Sequence, residues 1–325
     1  MAGGVYRGSP AARGLSLVEL LVALAIGVVL AFAATHFLLR SKLSFLQSDE
    51  LARLRENGFY ALRLLSHELT MAGHLGSEIP GASIASSLRG SACFEFLLDT
   101  TSAVAHVNDG DVAGVSASGG SSLPEDCLPS RQHQAGSDIL VVRRTSGEAL
   151  VAAGEVRAAP DADALYLRSR AAQRPAAIAR GGDPGVPGEL WEYTPAVFFI
   201  RSHSRIRGDG IPTLCRKRPG RTDERMAPVE CLVEGIENLQ LEFGIDDDGD
   251  LQPDRFATRP AVAELRRAVA ARIHLLVRSV QPVPGHSDDN DYQLAGKHIP
   301  ASHDAYYRRL VQATLLLRNN AVFQR

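Results

Sequence analysis

The run from Leu15 to Leu39, L-S-L-V-E-L-L-V-A-L-A-I-G-V-V-L-A-F-A-A-T-H-F-L-L, constrains this chain more than any other stretch. Only Ser16, Glu19, Gly27, Thr35 and His36 interrupt its apolar character. A bilayer core needs about 20 apolar residues in helical form, and the run supplies them. Glu19 is the odd member. A carboxylate inside a membrane helix costs roughly 2.5–3.5 kcal/mol on insertion scales, so it is expected to have a partner and a task. If the chain is cut after Gly14, the new amine of Leu15 lies one helical turn before Glu19. That amine, or the same amine on a neighbouring subunit, would neutralise the carboxylate. An ordinary secretory signal would end at small residues such as Ala33 and Ala34, but the pattern beyond them continues a helix.

Arg7 and Arg13 precede the run, which predicts that residues 1–14 stay cytoplasmic and the C-terminal bulk is exported. Exported chains meet an oxidising compartment. The four cysteines contain no C-x-x-C pair, which favours two disulfides over a metal site. The local pairings, Cys93 with Cys127 and Cys215 with Cys231, are preferred, although four cysteines allow three connectivities. Each local bridge would contribute about 3–4 kcal/mol by restricting the unfolded chain.

Beyond the run the helical period persists. Leu43, Leu46, Leu51, Leu54, Phe59, Leu62, Leu65 and Leu69 recur three to five residues apart, with Arg53, Arg55, Glu56 and Arg63 between them. One helix from Leu15 to about Ala72 would be roughly 85 Å long at 1.5 Å per residue. Gly73 and Gly76 end it, and Pro80 forbids a restart. The expected organisation is a leader (1–14), an apolar half-helix (15–40), an amphipathic half-helix (41–76) and a globular head (77–325).

In the head, Cys93 to Leu98 reads as a short strand, and 114–122 and 171–188 read as loops. Strands are expected at Ile139–Val142, Ala164–Leu167 and Ala196–Ile200. The cleanest is Asn238–Ile245, with Leu239, Leu241, Phe243 and Ile245 on one face and Asn238, Gln240 and Glu242 on the other. Further strands run through Ile273–Val277 and Val311–Leu317, and 261–270 reads as a short helix. Arg201, Arg205, Arg207, Arg216, Lys217, Arg218, Arg221 and Arg225 lie in what reads as a basic loop. DNA contact is one reading of it. A solvated surface is the stronger one: only three of the chain's 35 basic residues are Lys, so arginine is its general choice of cation. No aromatic residue interleaves these charges to stack on bases. The net charge of −2 excludes a bulk polycation.

Gly14-Leu15-Ser16-Leu17-Val18-Glu19 resembles the class III signal of type IV prepilins and type II secretion pseudopilins. The resemblance implies cleavage between Gly14 and Leu15 by a prepilin peptidase, N-methylation of Leu15, and subunit docking guided by Glu19. Three C-terminal blocks are similar to the PilW family of minor type IV pilins: V-E-G-I-E-N-L-Q-L-E-F-G-I-D-D-D-G-D, A-A-R-I-H-L-L-V-R-S and R-R-L-V-Q-A-T-L-L-L-R-N. This implies an α+β fold, with a long N-terminal helix packed on a mostly antiparallel sheet. It also implies partners among other minor pilins, the major pilin, a tip adhesin and the inner-membrane assembly platform. The head would stand in the periplasm and then in the pilus, with roles in twitching, attachment or DNA uptake. The J-type minor pseudopilin of type II secretion shares the plan and is the nearest rival. A membrane-anchored adhesin or DNA-binding head is the third reading.

Asp246, Asp248, Asp250 and Asp254 have the one-three-five-nine spacing of an oxygen-ligand calcium loop. The sixth and twelfth positions, Leu251 and Ala257, lack the Gly and bidentate Glu of an EF-hand. A polar turn built on Asp248-Gly249 is the alternative. Enzyme signatures are missing from the sequence: His67-Glu68-Leu69-Thr70-Met71 fails H-E-x-x-H at Met71. The expectation is a structural protein, not an enzyme.

Overall fold

A computed structural model describes residues 16–78, 83–110, 123–128, 132–171 and 174–321. Gly14, Leu15, Pro80 and the expected loop 114–122 lie outside the described residues. The chain divides into two compact units, Met1–Asp49 and Glu50–Arg325. The helix α1 (Leu17–Met71) begins in the first and ends in the second. Gly73 and Gly76 stop it, both at positive φ (77° and 63°), which glycine tolerates and a side chain does not. The Gly73 N–H is taken by Arg143 O at 2.9 Å. Trp191 occupies the space where a Cβ on Gly76 would sit.

In the first unit every described residue up to Leu46 is exposed, including Leu17, Leu24, Phe32 and Phe37. This part of α1 is long and apolar enough to cross a membrane.

In the second unit the chain runs β1 (Ala85–Ser86), α2 (Ala92–Leu98), β2 (Val104–Gly110), β3 (Ser137–Val142), β4 (Val151–Ala152), β5 (Glu155–Val156), β6 (Leu165–Arg168), β7 (Ala177–Arg180), β8 (Leu190–Glu192) and β9 (Ala196–Arg201). It continues with β10 (Thr213–Lys217), β11 (Glu230–Glu234), β12 (Ile236–Ile245), β13 (Arg255–Ala257), α3 (Val262–Leu265), β14 (Ala268–Arg278), β15 (Tyr292–Leu294), β16 (Lys297–Ile299), β17 (Arg308–Leu316) and α4 (Arg318–Ala321). Three sheets carry the head, in the orders β1-β7-β6-β8-β4-β5, β11-β10-β9-β3-β2 and β13-β12-β14-β17. Apart from the parallel β1–β7 pair, the described strand pairs are antiparallel. The architecture is the expected one: a long N-terminal helix followed by a mostly antiparallel α+β domain.

The main core joins one stripe of α1 to the five- and four-stranded sheets. Leu54, Ala61, Leu65 and Leu69 recur at helical spacing and share a cluster with Leu140, Phe198, Leu241, Phe243 and Leu275. Gly58 lies on the same stripe, where a Cβ would stand 3.1 Å from Val277 Cγ2. Phe59, which the spacing placed on the buried stripe, is exposed instead. The contact runs through the small residues Gly58 and Ala61, which let the helix approach the sheet.

The continuous apolar runs of β3 and β9 follow from burial on both faces. Leu140, Val142, Phe198 and Ile200 join the α1 core; Ile139, Val141, Val197 and Phe199 join a second core under α2. Cys93–Cys127 and Cys215–Cys231 are the disulfides, and Cys93, Cys127 and Cys215 are fully buried in that second core.

Four local expectations are corrected. Cys93 to Leu98 is helix, not strand. Ser91 caps it by accepting from Phe94 N, Asp126 takes Cys93 N, and its last carbonyls are taken by Arg143 (Nη2 to Phe96 O, 2.9 Å) and Tyr193 (Oη to Leu97 O, 2.8 Å). The stretch 171–188 contains β7, and the basic stretch contains β10, pinned between β9 and β11. The helix within 261–270 is only Val262–Leu265, since β14 pairing starts at Ala268.

Candidate functional site

The amino-acid signals for assembly concentrate on α1. Ser16 and Glu19 form a reciprocal cap on its first turn. Glu19 N donates to Ser16 Oγ (3.2 Å), while Glu19 Oε2 accepts from Ser16 N (3.0 Å) and Ser16 Oγ (3.2 Å). This is the capping box S-x-x-E, which satisfies orphan donors at a helix start and places a carboxylate at the positive end of the helix dipole. The four-residue signal S-L-V-E is readable in the sequence but was hidden inside an apolar run. It gives Glu19 a local role beside any role between subunits, because the cap occupies Oε2. The cleavage and methylation residues, Gly14 and Leu15, precede the described chain.

The second half of α1 is fixed to the head by charge as well as by packing. Glu68 accepts from Arg144 Nε (2.7 Å) and Nη2 (2.8 Å), a fork-to-carboxylate pair with both members mostly buried. Thus the Glu of the failed H-E-x-x-H signature is a structural anchor. Asn319 Nδ2 donates to Thr70 O (3.2 Å), and Asn57 Nδ2 to Glu234 O (3.1 Å), tying the helix at both ends of its buried stretch.

A polar seam joins the five- and four-stranded sheets. Asp138 is fully buried and accepts from Leu241 N (2.7 Å) and Asp109 N (2.9 Å), and it pairs with His106 Nε2 (2.9 Å). Ser137 Oγ accepts from Leu239 N (3.1 Å). Side chains of β3 therefore satisfy edge amides of β12 that no strand pairs. The polar face of β12 is covered too: Gln240 and Asn238 are buried, and Gln240 Nε2 donates to Gly136 O (2.9 Å). Lys297, from the β15–β16 hairpin, reaches Asp109 and Gly136 O above it. Burial pushes the Asp109 carboxyl up, but hydrogen bonding and charge from Lys297, with further donors Arg259 and Gln240, hold it below the usual range.

Arg308, itself buried, is shared by Glu237 (2.6 Å), Asp304 (2.6 Å) and Asp288 (3.0 Å). These acids clamp the excursion between β14 and β17 onto the sheet, and they outweigh the burial that disfavours the Arg308 charge, raising its pKa.

Three arginines of the basic stretch are neutralised. Arg216 and Arg218 pair with Glu230 (2.9 and 3.4 Å), and Arg221 pairs with Asp161. Arg180 holds the backbone of the same loop through Gly220 O (3.0 Å) and Asp223 O (2.8 Å).

Of the four aspartates with calcium-loop spacing, three come together: ligand atoms of Asp246, Asp248 and Asp254 lie within 4.8 Å of one another. Asp250 turns to its own loop, accepting from Gln252 N (2.7 Å). The turn is also closed by its own amides. Asp246 accepts from Gly249 N (2.6 Å) and Leu251 N (2.9 Å), and Asp254 from Asp247 N (2.7 Å).

Residues 10–35 match the prokaryotic N-terminal methylation motif, and residues 197–319 match the family described as type IV pilus-assembly protein W. No curated protein matches the chain, and no solved structure does. The PilW match covers nearly all of β9 and runs through β17, so it takes in β12 and Arg308 but not Asp138 or Arg144. A methylation-motif match at one end and a PilW match at the other are consistent with a type IV pilus-associated minor pilin that carries a prepilin signal.

Proposed function

We propose that this protein is a minor pilin of the initiation or tip complex of a type IV pilus. The observation that carries the proposal is the pairing of an exposed apolar helix start, capped by Ser16 and Glu19, with a head anchored to the same helix through Glu68 and Arg144. Prepilin peptidase cuts after Gly14 and Leu15 is methylated. The apolar half-helix anchors the protein in the inner membrane with its head in the periplasm, and then leaves lipid for a helical fibre. There the Glu19 carboxylate meets the Leu15 amine of a neighbour. The partners are other minor pilins, the major pilin, a tip adhesin and the assembly platform. Twitching, adhesion or DNA uptake is served through the pilus. The protein contributes assembly, with no chemical step of its own.

Two substitutions separate the roles of Glu19. Gln retains the capping box but removes the charge; Ala removes both. Membrane insertion is expected to survive either change. Glu19→Gln and Glu19→Ala are both expected to be depleted from sheared pili, because docking uses the charge. Depletion of Glu19→Ala alone would assign Glu19 to the cap, and normal recovery of both would remove the docking role.

A further inference from the structure

β17 closes one side of the four-stranded sheet, and its outer edge is free. It pairs with β14 over nine residues without a break in register. Leu317 N donates to Val269 O and Ser279 N to Tyr307 O, so the odd-numbered residues of β17 bond to β14. Leu310, Gln312, Thr314 and Leu316 therefore turn their N–H and C=O groups outward, and among the described residues these groups have no partner. Gln312, Thr314 and Leu316 are exposed. Such an edge pairs with another chain unless something blunts it. The other edges of the described sheets are blunted. β1, β5, β13, β15 and β16 are only two or three residues long. β11 has a break in its register with β10 and is bridged to it by Cys215–Cys231. β2 carries a break between Val107 and Gly110. β17 has no proline and no bulge, and its charges, Arg308 and Arg309, sit at its first two positions.

The flank of α1 beside this edge is apolar and basic. A Cβ on Gly58 would stand 3.1 Å from Val277 of β14 and 3.6 Å from Val311 of β17, so Gly58 faces the sheet. Each residue turns a helix by about 100°. Asn57, one step back, bonds to Glu234 O of β11, which puts Phe59, one step on, over the β17 side. Thr70, three turns after Phe59 on the same side, accepts from Asn319 just past β17. Phe59 is 59% exposed and Leu316 is 54% exposed. Leu62 and Leu315 are only partly buried at the margin of the α1 core. Arg55, one turn before Phe59, is exposed, as are Arg309 near the start of β17 and Arg318 just past its end. Among the described residues none of these three arginines has an ion-pair partner, in contrast to Arg308.

We propose that β17 receives an extended segment of a different pilus subunit, which continues the four-stranded sheet as a fifth strand. The proposal rests on the assembly reading above and gives the neighbour its surface and its form. Only an extended chain sets alternate C=O and N–H groups against the free groups of Leu310, Gln312, Thr314 and Leu316. Its side chains alternate between two faces. One set meets Phe59, Leu62 and Leu315 and is apolar; acidic residues at its ends meet Arg55, Arg309 and Arg318, whose guanidinium forks suit carboxylates. Main-chain bonds supply affinity, and the flanking side chains select the partner. The same charges disfavour a second copy of this chain. β17 is basic at both ends, so pairing with its own kind sets arginine against arginine in either direction.

The test uses the full chain in cells that build pili, with the photoreactive amino acid p-benzoylphenylalanine in place of Gln312. Illumination is expected to give an adduct with another subunit that carries a methylation-motif helix, identified by mass spectrometry of the joined peptides. Thr314→Pro should lower that adduct by roughly tenfold. The N–H it removes points away from β14, so the sheet keeps its own bonds. Thr314→Ala changes the side chain and spares the N–H, and should leave the adduct unchanged. Arg309→Glu together with Arg318→Glu should also reduce the adduct, and this pair decides the matter if Thr314→Pro loses its resistance to protease. The proposal is overturned by no adduct, by an adduct only between copies of this chain or only with lipid, or by one indifferent to both Thr314→Pro and the charge reversal. Incorporation of the unsubstituted chain into sheared pili is scored separately. Its absence there removes the assembly reading, whereas normal incorporation without an adduct removes only the β17 contact.

Discussion

Glu68 on α1 and Arg144 beyond β3 are joined by two hydrogen bonds of 2.7 and 2.8 Å, across 76 residues of sequence. The pair turns the helix from an element lying on a sheet into one locked in rotation. Removing one partner strands the other in a mostly buried site. Glu68→Ala is therefore expected to destabilise the head by on the order of 3 kcal/mol. Thermal unfolding of the full chain in detergent measures it. A Glu68→Ala midpoint equal to that of the wild type would show that the pair contributes nothing.

Gly58 sets how closely α1 approaches the sheet. Leucine there would drive into Val277 and Val311. Overpacking of this kind costs typically 1–3 kcal/mol, so Gly58→Leu should lower the unfolding midpoint. Gly58→Leu without such a drop would mean that helix and sheet can part at no cost.

The two preceding sites show what the sequence could and could not reveal. The α1 helix and β12 were legible because their periods are carried by neighbours in sequence. Glu68 was legible only as half of a failed metal motif, since its partner comes from a strand end far along the chain. Cys93-Phe94-Glu95-Phe96-Leu97-Leu98 has the composition of a strand, and its helical state depends on capping by Ser91, Arg143 and Tyr193. Gln240 and Asn238 look like solvent-facing residues of an alternating strand, but both are buried and donate to Gly136 O, which comes from far along the chain.

Asp209 organises loop 202–212 by accepting from the backbone N–H groups of Ser204, Arg205, Ile206 and Ile211. Burial pushes its carboxyl up, and the four amides outweigh it, holding it at about 2 in the folded chain, against an ordinary value of 3.8. A depressed carboxyl stabilises above the unfolded value and loses that contribution as pH falls through the folded one. The loop should thus loosen between about pH 4 and pH 2. Pepsin cleavage within 202–212 reads this. At pH 4 the wild type should resist while Asp209→Ala is cut, and at pH 2 the two should converge. Equal cleavage at pH 4 would contradict the role of the carboxylate.

The acidic turn is closed by its own amides through Asp246. Chelation with EDTA is expected to leave the unfolding midpoint unchanged. A calcium-dependent rise in midpoint, lost in Asp248→Asn, would instead establish Asp246, Asp248 and Asp254 as a calcium site.

Clean deletion tests the central claim most directly, with sheared surface fractions probed for the major pilin and culture supernatant for secreted enzymes. Loss of surface pili with secretion intact is the expected result. Lost secretion with normal pili would contradict it and make the protein a secretion pseudopilin.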